Sequence, residues 1–331
     1  LARVANGTLR SLQRLGDGPA TEEFYASRAS DPLRRAALFY SVPDWMALLW
    51  DRVYGREACL HLLRRSFDQP HPCVRVNARH ERAGALRAAL LEHGGEAVGA
   101  WGVAFAPGSS PDTVLDAPLE CWMDAGVCSR QAAGSQSALS MLRPGEWSQP
   151  IWDACAGQGG KTLALLERGS QVALCSDVHG GRLRGLRDGA RRLGLKAPPV
   201  IRAAADQPAP GGDALQQPPL RRWAGTILLD VPCSGLGTLS RRPEIRRRRG
   251  PEDVRHLAAL QARIAAAAWK ILRPGGHLVY MTCTLHPEEN ERQVAALRRA
   301  HSDVQCLDMW QTPHEHPWME GMYAALLRKQ G

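Results

Sequence analysis

The stretch that decides the fold is residues 150–177, which read PIWDACAGQGGKTLALLERGSQVALCSD. A short apolar run ends at Asp153, a glycine-rich turn follows, and apolar positions at helical spacing lead to a second apolar run that ends at Asp177. This order predicts a strand, a tight turn, a helix and another strand. Glycines in such a turn let the backbone approach a ligand, and an acid about 20 residues further on can hold ribose hydroxyls. The stretch therefore favours a nucleoside-containing cofactor over a purely structural turn.

The same alternation of strand and helix continues through the second half of the chain. Strands are predicted at 171–177, 200–202, 226–230 and 277–282, and helices at 160–168, 181–194 and 252–272. The run TILLD at 226–230 is apolar enough for the middle of a parallel sheet. Together these segments predict an α/β fold with a doubly wound, mostly parallel sheet. The Pro- and Gln-rich residues 207–220 are predicted to form an exposed loop.

The first part of the chain has a different rhythm. Helices are predicted near the amino terminus, at 41–70 and at 80–93, with a short strand at 74–77. The core candidates of the helices at 41–70 are Leu48, Leu49, Leu60, Leu62 and Leu63. We therefore expect a helix and linker at 1–30, a small α+β domain at 31–125, and a catalytic domain at 126–331.

The composition is that of an ordinary globular protein. Hydrophobic residues make up 44% of the 331 positions and charged residues 23%, which excludes disordered and fibrous chains. No apolar run reaches the roughly 18–20 residues of a membrane span, and the amino terminus does not read as a signal peptide. Because the chain starts without Met, we expect it to begin inside a longer gene product. The nine Cys form no CxxC pair, so we expect a reduced, cytoplasmic protein without a metal site.

The charge balance is basic, with 42 Lys and Arg against 33 Asp and Glu. Almost all of the basic residues are Arg. Arg binds phosphate groups through two hydrogen bonds and stacks on bases, and therefore suits RNA. Codon usage in a GC-rich genome explains the same bias equally well. Composition alone leaves a polyanionic partner and this alternative open.

Two further motifs place a Cys just past the end of a predicted strand. DVPCSGLGT at 230–238 contains Cys233, and TCTLHPEEN at 282–290 contains Cys283. Ligands of open α/β sheets bind at the carboxyl ends of the strands, so both thiols could meet one substrate there. Cys283 also precedes a predicted helix, whose dipole would favour a thiolate. The alternative is two unrelated buried thiols.

An Arg-rich run follows the first of these motifs. Arg241, Arg242 and Arg246 through Arg249 follow the end of the motif at 230–238 within fifteen residues. Such a run is often a solvated face, but its place beside the predicted cleft favours contact with a phosphate backbone.

Taken together, these residues resemble the S-adenosylmethionine-dependent RNA cytosine-5 methyltransferases, in particular the bacterial RsmB (Sun/Fmu) type that acts on small-subunit ribosomal RNA. The similar segments are 153–162, 230–237, 241–244 and 282–290, with VRVN at 74–77 and MYAAL at 322–326. Residues 4–10 are similar to the last helix of the family's amino-terminal NusB-like domain, most of which would precede Leu1. The resemblance implies a Rossmann-like methyltransferase sheet with an antiparallel last strand, behind a small α+β RNA-binding domain.

The resemblance also implies a covalent mechanism on cytosine. The family's nucleophile corresponds to Cys283, whose thiolate would add to carbon 6 and so activate carbon 5. Cys233 would assist release of the methylated product, and Asp230 would hold the polar edge of the base. Lys161 would reach the same active centre.

Other residues are expected to hold the cofactor and the RNA. The candidate S-adenosylmethionine site consists of Cys155, Ala156, Gly157, Gln158, Gly159, Gly160, Lys161, Asp177 on the ribose, Asp206 near the adenine, and Asp230. The candidate RNA contacts are Arg75, Arg241, Arg242 and Arg246. We expect small-subunit ribosomal RNA as the partner of a monomeric enzyme, with no membrane and no metal.

Two departures from the family pattern support a different class of function. The family's Ala-Pro is Gly157-Gln158 here, and Ala132 stands where Asp is usual. An RNA-binding ribosome-assembly factor with a vestigial methyltransferase fold is therefore the second hypothesis. A DNA cytosine methyltransferase is the third, but there the Pro-Cys thiol is itself the nucleophile and Cys283 would be unexplained.

Overall fold

The computed structural model describes residues 2–206 and 223–331, so the loop predicted at 207–220 lies outside the described residues. Within them the helices are α1 (Ala2–Gln13), α2 (Pro32–Phe39), α3 (Asp44–Tyr54), α4 (Arg56–Phe67), α5 (Ala83–Glu92), α6 (Leu119–Asp124), α7 (Ala133–Met141), α8 (Gly160–Glu167), α9 (Gly180–Arg192), α10 (Ile245–Arg248), α11 (Pro251–Ile271) and α12 (Glu291–Ala300). In the same residues, no helix is long and apolar enough to cross a membrane.

The strands form one large sheet and two small ones. They are β1 (Cys73–Val76), β2 (Glu96–Val98), β3 (Gly102–Ala104), β4 (Thr113–Val114), β5 (Ala117–Pro118), β6 (Cys128–Arg130), β7 (Ile151–Asp153), β8 (Val172–Asp177), β9 (Val200–Arg202), β10 (Thr226–Asp230), β11 (His277–Thr282), β12 (Val304–Gln311) and β13 (Tyr323–Lys329). The large sheet has the order β12-β13-β11-β10-β7-β8-β9.

The large sheet has the mostly parallel arrangement that the sequence predicts. Strand β10 pairs in parallel with β11 and β7, and β8 pairs in parallel with β7 and β9. Only β13 runs antiparallel to its neighbours β11 and β12. This confirms the α/β fold class and its antiparallel closing strand.

Strand β10 shows why this sheet is doubly wound. Successive side chains of a strand point to opposite faces. Ile227 and Leu229 accordingly pack with Trp269 of α11, whereas Leu228 packs on the other face with Leu186 of α9. All of these side chains are buried, so the apolar run at 226–230 lies in the core on both sides, as predicted.

The segment ahead of the large sheet consists of two packing units rather than the single α+β domain predicted at 31–125. Helices α2, α3 and α4 pack together and against Leu236, Leu239 and Leu285, which follow strands β10 and β11 of the large sheet. The second unit is the antiparallel sheet β2-β3-β1-β6 with α5 and α6. Since β6 pairs with β1, this sheet extends past the predicted boundary at 125/126.

The predicted helical core was partly wrong. Leu62 and Leu63 are buried as expected, but Leu48 is 56% exposed and Leu60 is 41% exposed. In α4 the buried positions include Cys59, Leu62 and Leu63, spaced as one helical face, and Leu60 lies off that face. Counting leucines therefore overestimates the core where the helix presents only one face.

Candidate active site

The two motif cysteines lie together at the carboxyl edge of the large sheet. Strands β10 and β11 are parallel neighbours in which Asp230 is paired with Met281, so the residues after both strands emerge side by side. The Sγ atoms of Cys233 and Cys283 are 3.3 Å apart. The backbone N–H of Cys283 also donates to Cys233 Sγ, at 3.3 Å. The two thiols are thus one cluster, as their predicted positions at neighbouring strand ends require.

A glycine fixes the loop that follows Cys233. Gly237 N donates to the carbonyl of Cys283 at 3.1 Å, and the Gly237 carbonyl accepts from Gly321 N at 2.8 Å. A side chain at position 237 would collide with the Gly321 backbone. Only Gly therefore lets this loop lie against the backbone at Gly321, while its N–H holds the carbonyl of Cys283.

The pKa values of the two thiols are shifted in opposite directions. The pKa of the Cys283 thiol is lowered because Cys233 donates to it and Lys161 places a positive charge nearby, against the effect of burial. The pKa of Cys233 is raised well above its ordinary value by that same hydrogen bond to Cys283 and by burial. The negative charge thus belongs on Cys283, and the proton on Cys233.

The α-helix that the sequence predicted directly after Cys283 begins later in the chain. A short 3-10 turn at Pro287–Glu289 follows Cys283, and α12 begins only at Glu291. The residues that act on the Cys283 thiol come instead from β10, its loop and α8.

A depressed thiol pKa predicts unusual reactivity of Cys283. A group of lowered pKa stays ionised to lower pH, so alkylation by iodoacetamide should have its midpoint below the about 8.5 of an ordinary thiol. Lys161→Met should move that midpoint upwards, since Asp230 would then act on Cys283 without a compensating cation. Site-resolved mass spectrometry across pH measures this, with exposed Cys121 as the internal reference. A Cys283 midpoint at or above that of Cys121 would contradict the charge assignment.

Lys161 and Asp230 form an ion pair beside the thiols. Lys161 Nζ lies 2.5 Å from Asp230 Oδ2; the lysine side chain is nearly buried, whereas 36% of the aspartate side chain is exposed. Burial lowers the pKa of Lys161, but Asp230 outweighs it and the net shift is upwards. Lys161 is therefore a fixed cation beneath the site, and Asp230 presents its carboxylate to the cleft.

The glycine-rich turn is packed against α9 and the end of β8 on one side and is uncovered on the other. Gly159 has φ +86°, and a side chain there would collide with Leu186 of α9. Asp177 accepts from Gly157 N at 3.0 Å and from His179 N at 2.7 Å, which ties the turn to the end of β8. Among residues 2–206 and 223–331, no atom lies within 4 Å of where a Cβ on Gly157 would sit. Within the described residues, the side of the turn at Gly157 is therefore uncovered, and the neighbouring Gln158 is exposed.

Asp153 is a buried acid near the site. The sequence analysis did not identify it as a site residue. Its side chain is 1% exposed, and Thr162 Oγ1 donates to its Oδ2 at 2.6 Å. Burial raises the pKa of Asp153 to about 7. Its Oδ1 has no hydrogen-bond partner among the described residues. Burial, with Asp153 and Asp230 nearby, also raises the pKa of Cys155, so that thiol stays protonated.

Asp206, expected near the adenine, is the last described residue before the gap at 207–222. Its carboxylate forms an ion pair with Arg263 of α11, with Arg263 Nη2 3.0 Å from Asp206 Oδ2. Only 10% of its side chain is exposed. The acid is thus held in place from the side of α11.

Arg75 was expected to contact RNA, and this prediction is wrong. Its side chain is 3% exposed and forms a two-pronged ion pair with Glu167, with Nε–Oε2 at 2.6 Å and Nη2–Oε1 at 2.9 Å. Its Nη1 donates to Gln131 Oε1 and to the carbonyl of Gly160 at 3.0 Å. Arg75 therefore joins the small sheet to α8 of the catalytic domain and has no surface left for a phosphate.

Removing this Arg should destabilise the fold. Arg75→Ala is expected to lower the free energy of unfolding by about 3–5 kcal/mol, because Glu167 is left buried without its cation. Urea denaturation followed by circular dichroism measures the change. Arg242→Ala is the matched control, since Arg242 is exposed and should shift stability by less than about 0.5 kcal/mol. Equal unfolding midpoints for the two variants would refute the structural role of Arg75.

The other predicted RNA contacts differ in how free they are. Arg241 pairs with Glu320 and donates to the carbonyl of His71 at 2.7 Å. Arg246 donates to the carbonyl of Ser66. Both guanidinium groups thus connect the Arg-rich segment to other parts of the chain, which leaves them fewer donors for RNA. Arg242 is more exposed and has only Glu244 as a neighbour of opposite charge.

A groove of about 800 Å³ runs between the small sheet and this Arg-rich run. Residues that line it include Cys73, Gln131, Ala132, Arg130 and Arg241. Both of its Arg side chains are at least 30% exposed. The groove also contains Asp112 and Glu120, and Arg130 pairs with Glu120, so its lining carries both charges.

Comparison with known proteins gives consistent results. A family model described as 16S rRNA methyltransferase RsmB/F matches residues 139–328. The "Probable ribosomal RNA small subunit methyltransferase B" of Synechocystis sp. is 32% identical over 92% of this chain and 65% of its own length. The corresponding methyltransferase B of Vibrio cholerae is 31% identical over 100% of this chain and 73% of its own length. The chain thus spans about two thirds of these relatives' length.

Solved structures share the fold. A methyltransferase homolog protein from Pyrococcus horikoshii superposes with a TM-score of 0.72 at 23% identity, over 90% of this chain and 99% of that one.

Proposed function

The chain belongs to the 16S rRNA methyltransferase RsmB/F family, and on that premise we propose that it transfers a methyl group from S-adenosylmethionine to carbon 5 of a cytosine in 16S ribosomal RNA. The observation that supports this most is the pair of thiols in contact at the carboxyl edge of the sheet, with Lys161 and Asp230 beside them. A DNA methyltransferase of the Pro-Cys type would leave Cys283 without a role.

The first step uses the charge distribution of the thiol pair. Carbon 5 of cytosine is a weak nucleophile until a nucleophile adds to carbon 6. The Cys283 thiolate forms the Sγ–C6 bond, and the displaced electron pair moves towards carbon 5 and the ring's polar edge. Asp230, supported by Lys161, faces the cleft and holds that polar edge.

Once carbon 5 carries the methyl group that S-adenosylmethionine would supply, it must lose its hydrogen as a proton, and Cys233 becomes the base that takes it. The largest cause of its raised pKa is the hydrogen bond to Cys283. Once Cys283 is bonded to carbon its charge is gone, so Cys233 can lose its proton to solvent. The Cys233 thiolate then takes the proton from carbon 5, and the Sγ–C6 electron pair returns to Cys283. At the end of the turnover Cys283 is again a thiolate and Cys233 again a thiol, as they were before the first step.

The glycine turn and its neighbours fit the cofactor. The free face above Gly157, the backbone amides at the start of α8, and the acids Asp177 and Asp206 suit a ligand with ribose hydroxyls and a base. We assign residues 155–161, Asp177, Asp206 and Asp230 to this site. When bound, S-adenosylmethionine supplies an electrophilic methyl group.

The groove lined by Arg130 and Arg241 is our candidate path for the RNA. Its Arg130 and Arg241 side chains suit phosphate contacts, and Arg242 and Arg246 follow on the same run. The target cytosine must be unpaired or flipped out to reach the thiols.

Incubation with labelled S-adenosylmethionine and unmodified small-subunit RNA tests the proposal. We expect label in 5-methylcytosine at one position. A calorimetric titration with S-adenosylmethionine distinguishes an active enzyme from an assembly factor with a vestigial methyltransferase fold, since a vestigial site would show no saturable binding. RNA binding without cofactor binding would favour an assembly factor and overturn the enzymatic proposal.

A further inference from the structure

Glu289 is a buried acid behind the two thiols. Its side chain is fully buried, and no ion pair within residues 2–206 and 223–331 includes it. Buried carboxylates normally have a cationic partner, because removing an unpaired charge from water is costly. Glu289 instead accepts hydrogen bonds from neutral donors. Because burying this carboxylate without a cation is costly, we looked for its function in the residues that donate hydrogen bonds to it.

The donors of Glu289 belong to the loops that contain the cysteines. Ser234 follows Cys233, and both its N, at 2.8 Å, and its Oγ donate to Glu289. Ser234 Oγ also lies 2.8 Å from Oγ1 of Thr284, the residue after Cys283. One carboxylate thus joins the residue behind each thiol through a single hydrogen-bonded chain.

Two neighbours hold the same loops from further back. Gln261 Nε2 donates to the Pro232 carbonyl and to Glu289 Oε1, both at 2.9 Å. Asn290 Oδ1 accepts from Thr282 Oγ1 at 2.5 Å, and its Nδ2 donates to the Thr284 carbonyl at 3.0 Å. Cys283 is therefore fixed on both sides, and the residues on both sides of Cys233 are tied to Glu289 or its partner Gln261.

We propose that Glu289 is a positioning residue, which acts through Ser234 and Thr284 to hold the Cys233 and Cys283 sulfurs in contact. It does not touch the substrate. The consequence for catalysis rests on the proposed function, whereas the contact between the thiols does not.

The test uses the full chain and two neighbouring acids. Glu289→Gln keeps the size of the side chain but puts amide N–H groups where the carboxylate accepts from Ser234 and Gln261. Glu288→Gln is the matched control, because Glu288 is partly exposed and, among the described residues, its side chain forms an ion pair only with Arg292. Ser234→Ala removes the hydroxyl that joins Glu289 to Thr284. Thermal unfolding establishes which variants are folded.

The first measurement is the rate at which diamide links Cys233 to Cys283, followed by mass spectrometry. In this reaction two thiols are oxidised to a disulfide and diamide is reduced to its hydrazine, so the rate reports the distance between the sulfurs without RNA or cofactor. We expect Glu289→Gln and Ser234→Ala to slow it at least about tenfold, and Glu288→Gln to leave it unchanged, because reaction rates fall steeply when reacting atoms separate.

The second measurement is methyl transfer. Glu289→Gln should lower kcat by about 10²-fold with the KM values for RNA and S-adenosylmethionine unchanged. Normal disulfide formation in folded Glu289→Gln would overturn the proposal, and if that variant does not fold, normal disulfide formation in Ser234→Ala would do so. If wild type shows no methyl transfer but the disulfide rates differ as expected, the proposed function fails and the positioning role stands.

Discussion

Replacing Cys283 with alanine is expected to lower methyl transfer by at least about 10³-fold, the scale of losses seen when a catalytic nucleophile is removed. No nearby thiol can take over its role. Cys233 follows a different strand, β10, and its burial still raises its pKa when Cys283 is absent. Single-turnover transfer of labelled methyl to small-subunit RNA measures the loss.

The control for this variant is Cys121→Ala, which removes an exposed thiol remote in sequence from both motifs. It should transfer methyl at the wild-type rate. Calorimetry should show that Cys283→Ala still binds S-adenosylmethionine, because the glycine turn and Asp177 do not depend on this sulfur. Substantial transfer by Cys283→Ala, above about one hundredth of the wild-type rate, would assign the nucleophile elsewhere.

The sequence predicts the large sheet and the place of the thiols because both depend on simple local rules. An apolar run such as TILLD at 226–230 must be buried on both faces, which makes it a central parallel strand. Residues after two neighbouring parallel strands must emerge at one edge. These two rules suffice to bring Cys233 and Cys283 together, and the structure adds the distance of 3.3 Å between their sulfurs.

What the sequence does not predict are pairings between distant residues. Arg75 and Glu167 are 92 positions apart, and nothing local marks either of them as buried. An Arg on a short strand therefore reads as a surface residue, although its side chain lies between two domains. Glu289 was visible within the PEEN segment, but its link to Ser234 depends on a contact across 55 positions. The boundary at 125/126 failed for the same reason, since β6 belongs with β1 only through long-range pairing.

Replacing Cys233 with alanine is expected to have the opposite signature to the loss of Cys283. Addition to carbon 6 needs only Cys283, so the covalent bond to the RNA still forms. Removal of the carbon 5 proton is then slow, because the base 3.3 Å from the attacking sulfur is missing. The protein should accumulate as an RNA adduct that survives denaturing electrophoresis, in an amount close to one RNA per active protein.

The adduct distinguishes this account from one in which Cys233 merely packs beside the nucleophile. Cys233→Ala also removes the hydrogen bond that lowers the pKa of Cys283, so adduct formation itself should shift to higher pH than in wild type. The double variant Cys233→Ala with Cys283→Ala should form no adduct, and nuclease treatment should collapse the shifted band. Failure of Cys233→Ala to trap RNA at any pH, while it still turns over at the wild-type rate, would show that another group removes the carbon 5 proton.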